Sequence, residues 1–183
     1  SNASQNIFKN KIYNITSNNS LPTVSGITLG SPGVAINMYN NIIGNLNAPN
    51  GNQTPASPSI RGINLLTGFT SAINIYNNSV FINASSGGTD FSTCALFATT
   101  SPTATTNALT LKNNVLVNNS ISSGTGFAIA YQRSSTTLTN YTAASNNNLF
   151  YAGTPGADNV LFYDGTNTDQ TLSAFKTRVS ARE

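Results

Sequence analysis

One short pattern recurs along the chain: an apolar residue, any residue, Asn, a polar residue and then an apolar strand. It reads Phe8-Lys9-Asn10-Lys11-Ile12, Met38-Tyr39-Asn40-Asn41-Ile42, Ile75-Tyr76-Asn77-Asn78-Ser79-Val80 and Leu111-Lys112-Asn113-Asn114-Val115, with a weaker fifth copy at Ser145-Asn146-Asn147-Asn148-Leu149. A second series of strands interleaves with it in strict order: Gly26-Ile27-Thr28-Leu29, Gly62-Ile63-Asn64-Leu65, Ala95-Leu96-Phe97, Phe127-Ala128-Ile129 and Val160-Leu161-Phe162. Aligned on Asn10, Asn40, Asn77, Asn113 and Asn147, the copies lie 30, 37, 36 and 34 residues apart. Apolar residues alternate within each copy, as in Ile36/Met38, Ile73/Ile75 and Leu109/Leu111, which is the period of a strand with one buried face. Clusters of Gly, Pro, Ser, Thr and Asn between copies, such as 47–59 and 101–106, read as loops whose variable length makes the period drift.

A repeat near 35 residues with two or three strands and no helix predicts an all-β solenoid of about five turns, each turn stacking on the next. Burying one inward Ile or Leu gains about 2 kcal/mol, but only when neighbouring turns cover it, so the stack should be cooperative. The recurrent Asn suits a corner, because after Gly it best tolerates positive φ. Stacked amides can also hydrogen-bond from turn to turn.

The repeated corner with its Gly-φ-x-φ second strand resembles the right-handed parallel β-helix repeats of pectate-lyase-like proteins. The closing stretch, Asn146-Asn147-Asn148-Leu149-Phe150-Tyr151, Asp164-Gly165 and Thr171-Leu172-Ser173-Ala174-Phe175-Lys176, resembles a pattern in large surface proteins of Bacteroidetes-type bacteria. These resemblances imply a right-handed parallel β-helix over residues 4–170, a secreted or cell-surface location, and a chain cut from a longer protein. Ser1, Asn2 and Ala3 read as the scar of a cleaved tag.

Residues 171–183 change character. Leu172, Phe175 and Val179 fall at helical spacing, Asp169 or Thr171 is placed to cap, and Lys176, Arg178 and Arg182 sit towards the end. A short helix over about 171–181 is expected, packed on the side or end of the stack to shield a strand edge.

Charged residues are only 7% of the chain, against about 25% in ordinary soluble domains. Asn, Ser and Thr replace them, as in exported β-proteins. The net charge of +3 is the balance of eight basic against five acidic residues, and three of the basic ones are Lys176, Arg178 and Arg182 near the end, which is no nucleic-acid groove. No run approaches the roughly 18 apolar residues of a membrane-spanning helix. The single cysteine, Cys94, sits in the apolar run Cys94-Ala95-Leu96-Phe97 and reads as a small buried hydrophobe. Phe69, Phe81, Phe91, Phe97, Phe127, Phe150 and Phe162 lie in or beside apolar strands and read as core.

With no histidine, Ser-His-Asp and Cys-His catalysis are excluded within the chain. The acids Asp90, Asp158, Asp164, Asp169 and Glu183 lie outside the recurring strands, whereas pectate-lyase-like enzymes place theirs on stacked neighbouring turns. Asp164 to Asp169 offers oxygens that could hold calcium or form a plain turn, and the turn is favoured. No cofactor is expected. The residue before each corner Asn gives a column of Lys9, Tyr39, Tyr76 and Lys112 that should point outward. Such a stripe could stack on sugars and meet their acidic groups, or simply brace neighbouring strands. The sequence thus favours a non-catalytic structural or adhesive segment. The alternatives are a carbohydrate-binding surface, and a non-catalytic part of a polysaccharide lyase or hydrolase.

Overall fold

The computed structural model describes residues 4–30, 35–66, 72–180 and 182–183. The chain winds as a right-handed parallel β-solenoid. Its first turn comprises β1 (Gln5–Phe8), β2 (Lys11–Ile12), β3 (Ile15–Thr16) and β4 (Val24–Leu29); its second comprises β5 (Ile36–Tyr39), β6 (Ile42–Gly44), β7 (Leu46–Asn47) and β8 (Ile60–Leu65). The third turn carries β9 (Ala72–Tyr76), β10 (Ser79–Ile82) and β11 (Thr93–Ala98), and the fourth β12 (Ala108–Lys112), β13 (Val115–Asn118) and β14 (Ala128–Arg133). Then come β15 (Leu149–Tyr151), β16 (Asn159–Tyr163), β17 (Thr168–Asp169) and α1 (Leu172–Val179).

Equivalent strands form three long sheets. The first is β1-β5-β9-β12, the second β2-β6-β10-β13-β15, and the third β4-β8-β11-β14-β16, all parallel, with β17 added antiparallel on β16. There are about four turns rather than five. The fifth copy supplies β15 and β16 but no strand for the first sheet, where only the isolated bridges Leu109↔Tyr141 and Lys112↔Asn146 remain. The cause is local: Leu109 and Lys112 are three residues apart but their partners Tyr141 and Asn146 are five apart, and the chain between them turns, with the Ser145 N–H on the Thr142 carbonyl, instead of running as a strand.

Register stacks like on like. Ile27, Ile63, Leu96, Tyr131 and Phe162 form one inward column of the third sheet, and Ile43, Val80, Leu116 and Phe150 one of the second. Phe91, Phe150 and Phe162 lie in this core as expected. The middle strands of the third sheet, β8, β11 and β14, are buried on both faces. Cys94, Phe97, Ile129 and Val160 form a second apolar cluster on the sheet's outer side, with Phe127 and Tyr163 packed against it. The segment around Pro55 comes down over that face, its carbonyl accepting from Gln132 Nε2 at 2.7 Å. Phe81 departs from the core expectation, keeping 51% of its surface exposed; Phe69 lies outside the described residues.

Cys94 is wholly buried and free. Burial pushes its thiol up to about 12, against a smaller opposing pull from Arg61. A maleimide should therefore label it in denaturant and not in native buffer; labelling of the native protein would show the outer cluster to be open.

The C-terminal helix forms where spacing predicts it. Thr171 is the N-cap, its Oγ1 accepting from the Ala174 N–H at 3.2 Å. Asp169 instead takes a bidentate ion pair from Arg178, at 2.5 and 2.8 Å. Phe175 and Val179 are fully buried in the core.

Candidate functional site

On the first sheet, alternation sends Ile36 and Met38 inward and Asn37 and Tyr39 outward. Parallel register then builds two outward columns. One is Phe8, Tyr39, Tyr76 and Lys112; the other is Asn6, Asn37, Asn74 and Thr110. The expected column thus forms from Tyr39, Tyr76 and Lys112, but Lys9 is not in it. The first copy has one Asn where later copies have two or more, so Lys9 itself takes the left-handed corner, at φ 56°, equivalent to Asn40, Asn77, Asn113 and Asn147. Phe8 fills the place assigned to Lys9, whose Nζ lies 6.0 Å from the Phe8 ring centroid.

The rings stack face to face. Phe8 and Tyr39 centroids are 5.0 Å apart with planes at 6°, and those of Tyr39 and Tyr76 are 4.9 Å apart at 2°. Beside them Asn74 Nδ2 donates to Asn37 Oδ1 and Asn37 Nδ2 to Asn6 Oδ1, each at 3.0 Å. Most of the strip is therefore satisfied by itself: both faces of Tyr39 are covered, and the Asn37 amide is used on both sides. Tyr76 differs. It has an aromatic neighbour on one side only, and on the other, towards Lys112, lies a groove of about 220 Å³ lined by Asn37, Asn74, Ile75, Tyr76, Thr110 and Lys112. The groove offers one ring face, one ammonium, and Asn74 Oδ1, which accepts no hydrogen bond among the described residues. Sequence reasoning missed Asn37, Asn74 and Thr110, although they lie two residues before Tyr39, Tyr76 and Lys112 and the strand period places them on the same face.

The carboxylates do other work. Asp90 accepts from the Thr125 backbone N–H and Oγ1, each at 2.7 Å, and these bonds hold it below the usual carboxylate range. Asp164 accepts from the backbone N–H groups of Thr166 and Asn167 and from the Asn167 amide; surrounded by donors, it makes a turn. Glu183 accepts from Tyr141 Oη at 2.6 Å and from Asn148 Nδ2 at 2.7 Å, and burial raises its pKa in spite of those bonds. Only the Asp158 side chain is without such a bond among the described residues, which hold no group of three or more His, Cys, Asp or Glu placed to bind a metal.

Comparison of the chain with family models, with curated proteins and with solved structures found no match.

Proposed function

We propose that this chain is a non-catalytic segment of an extracellular, pectate-lyase-like surface solenoid, and that it binds an acidic glycan in the groove between Tyr76 and Lys112. The open ring face of Tyr76 carries this reading. A pyranose packs its C–H face on an aromatic ring, Lys112 meets an acidic substituent, and the Asn74 carbonyl takes a hydroxyl. A low-charge surface rich in Asn, Ser and Thr supports the extracellular setting. Four of the five acids hold the scaffold together, which supports a non-catalytic role.

Titration calorimetry with polygalacturonate tests it. Tyr76→Ala should weaken binding at least tenfold, and Lys112→Gln should weaken it while flattening its dependence on salt. Tyr39→Ala should instead cost about 1 kcal/mol of stability from the lost ring contacts. Absence of binding by the unsubstituted protein, or equal affinity in the Tyr76 and Lys112 variants, would leave the strip a purely structural brace.

A further inference from the structure

On the second sheet the outward residues are aromatic at every second turn. Register aligns Gly44, Phe81, Val117 and Tyr151 in one column, and Tyr13, one residue beyond the Ile12↔Ile43 pair, continues it towards the first turn. Tyr13, Phe81 and Tyr151 keep 53, 51 and 46% of their surfaces exposed. This arrangement is the opposite of the first sheet's. There the rings occupy successive turns and cover one another; here Gly44 and Val117 intervene, and no ring contact joins Tyr13, Phe81 and Tyr151. Parallel strands lie about 4.8 Å apart, so the rings recur at about 9.6 Å.

The neighbouring column on the same face is Lys11, Ile42, Ser79, Val115 and Leu149. Beyond Lys11 neither column carries a charge. On the other side of the column, two residues beyond Phe81 and Val117 and just past the strand ends, stand Asn83 and Asn119. Both are exposed, and their side-chain amides make no hydrogen bond among the described residues. They line a cleft of about 590 Å³ that Tyr151 shares with Ile121, Asp158 and Asn159. An apolar strip of this length on a chain otherwise coated in Asn, Ser and Thr marks a binding surface.

From this we infer that the outward face of the second sheet is a platform for an extended, uncharged polysaccharide with equatorial β-linkages, lying along the solenoid axis. Such a chain turns its rings over at each step, so its repeat is two sugars long, close to two strand spacings. Every second sugar can then lay a C–H face on Phe81 or Tyr151 while its edge hydroxyls reach Asn83 and Asn119. A protein partner fits less well, because rings separated by Gly44 and Val117 make a ridged surface with open amides alongside rather than one continuous apolar patch. The platform lies on a different sheet from the Tyr76 groove and takes an uncharged ligand, so the two sites stand or fall separately.

The test is titration of the whole chain with cellohexaose, with maltohexaose as the axially linked control. Cellohexaose should bind and maltohexaose should not. Phe81→Ala and Tyr151→Ala should each weaken binding at least tenfold, and the pair should abolish it. Thermal melts should show both single variants folded, since each ring is half in solvent. Saturating polygalacturonate should not displace cellohexaose, which separates this site from the groove on the first sheet. Equal binding of both hexaoses, unchanged affinity in the variants, or no binding at all would overturn the proposal. Concentration-dependent dimerisation abolished by Phe81→Ala would overturn it too, by making the face an interface between copies.

Discussion

Asn78→Ala should lower the unfolding free energy by about 4 kcal/mol, among the largest effects of any single substitution in the stack. Asn78 is completely buried. Its Oδ1 accepts from the backbone N–H of Asn41 at 3.0 Å and from Asn41 Nδ2 at 2.8 Å, and its Nδ2 donates to the Met38 carbonyl at 2.9 Å and to Asn114 Oδ1 at 3.1 Å. Alanine would take this partner from the Asn41 backbone N–H and the Met38 carbonyl of the preceding turn, at about 1–3 kcal/mol for each buried group that water cannot reach, whereas Asn114 Oδ1 on the following turn keeps the Asn78 backbone N–H. The ladder also has a direction. Side-chain donors run from Asn10 to Asn41, Asn78, Asn114 and Asn148, and end on the Glu183 carboxylate, so each amide polarises the next. A break at Asn78 interrupts that chain in the middle. Urea titration is the measurement. Its neighbour supplies the control: Asn77 adopts φ 56° and its side chain makes no bond in the ladder, so Asn77→Gly should change stability by only a few tenths of a kcal/mol. A small effect at Asn78, or a large one at Asn77, would show that the corner rather than the amide ladder holds the turns together.

The contrast within that Asn-Asn pair explains what was legible in the sequence and what was not. The repeat announced the solenoid because apolar alternation and corner residues recur together, and each inward side chain then lies over its equivalent on the next turn. Sequence reasoning gave the corner and the ladder to one Asn per copy. The structure divides them: Asn40, Asn77, Asn113 and Asn147 take the left-handed backbone, while Asn41, Asn78, Asn114 and the half-buried Asn148 carry the amide ladder. Asn10 does the second job, and Lys9 the first. Aligning Asn10 with the first Asn of later copies therefore slipped the opening turn by one residue, and in a strand such a slip exchanges the faces. That displaced Phe8 from the aromatic column and put Lys9 there.

Phe81 was misjudged for a related reason. In Ser79-Val80-Phe81-Ile82 every residue but the first is apolar, so composition offers no face to choose. The ladder does choose, since a buried Asn78 leads to Val80 and Ile82 inward and Phe81 outward. The groove beside Tyr76 was legible in part: the order Tyr39, Tyr76, Lys112 shows where the aromatic run ends, but the cavity itself depends on how Lys112 and Thr110 sit beside Tyr76 and Asn74. A Tyr or Phe at position 112 would cover the ring face that Lys112 leaves accessible. The open platform on the second sheet depends likewise on Gly44 and Val117, two residues with no chemistry of their own that keep the rings apart.

Phe175→Ala should lower stability by about 4 kcal/mol and the melting temperature by about 10 °C, with the loss concentrated at the C-terminal end. The helix that carries Phe175 has eight residues, too few to persist alone. What holds it is burial of Phe175 and Val179, the Thr171 cap and the Asp169–Arg178 pair. Phe175 is fully buried among three other rings, with centroids 4.9 Å from Phe162, 5.3 Å from Phe150 and 6.1 Å from Tyr131. Those rings belong to the last turns, where inward residues lack a complete further turn to cover them, so the helix supplies the missing lid. Removing it exposes the end of the core. Because each turn of a solenoid contacts mainly its neighbours, amides of β15 and β16 should exchange fastest in Phe175→Ala, while those of β5 and β9 should keep their protection. Leu172→Ala on the half-exposed face of the same helix should change little. Uniform loss of protection along the stack would mean instead that the whole solenoid unfolds as one unit, with the terminal helix as essential to the first turn as to the last.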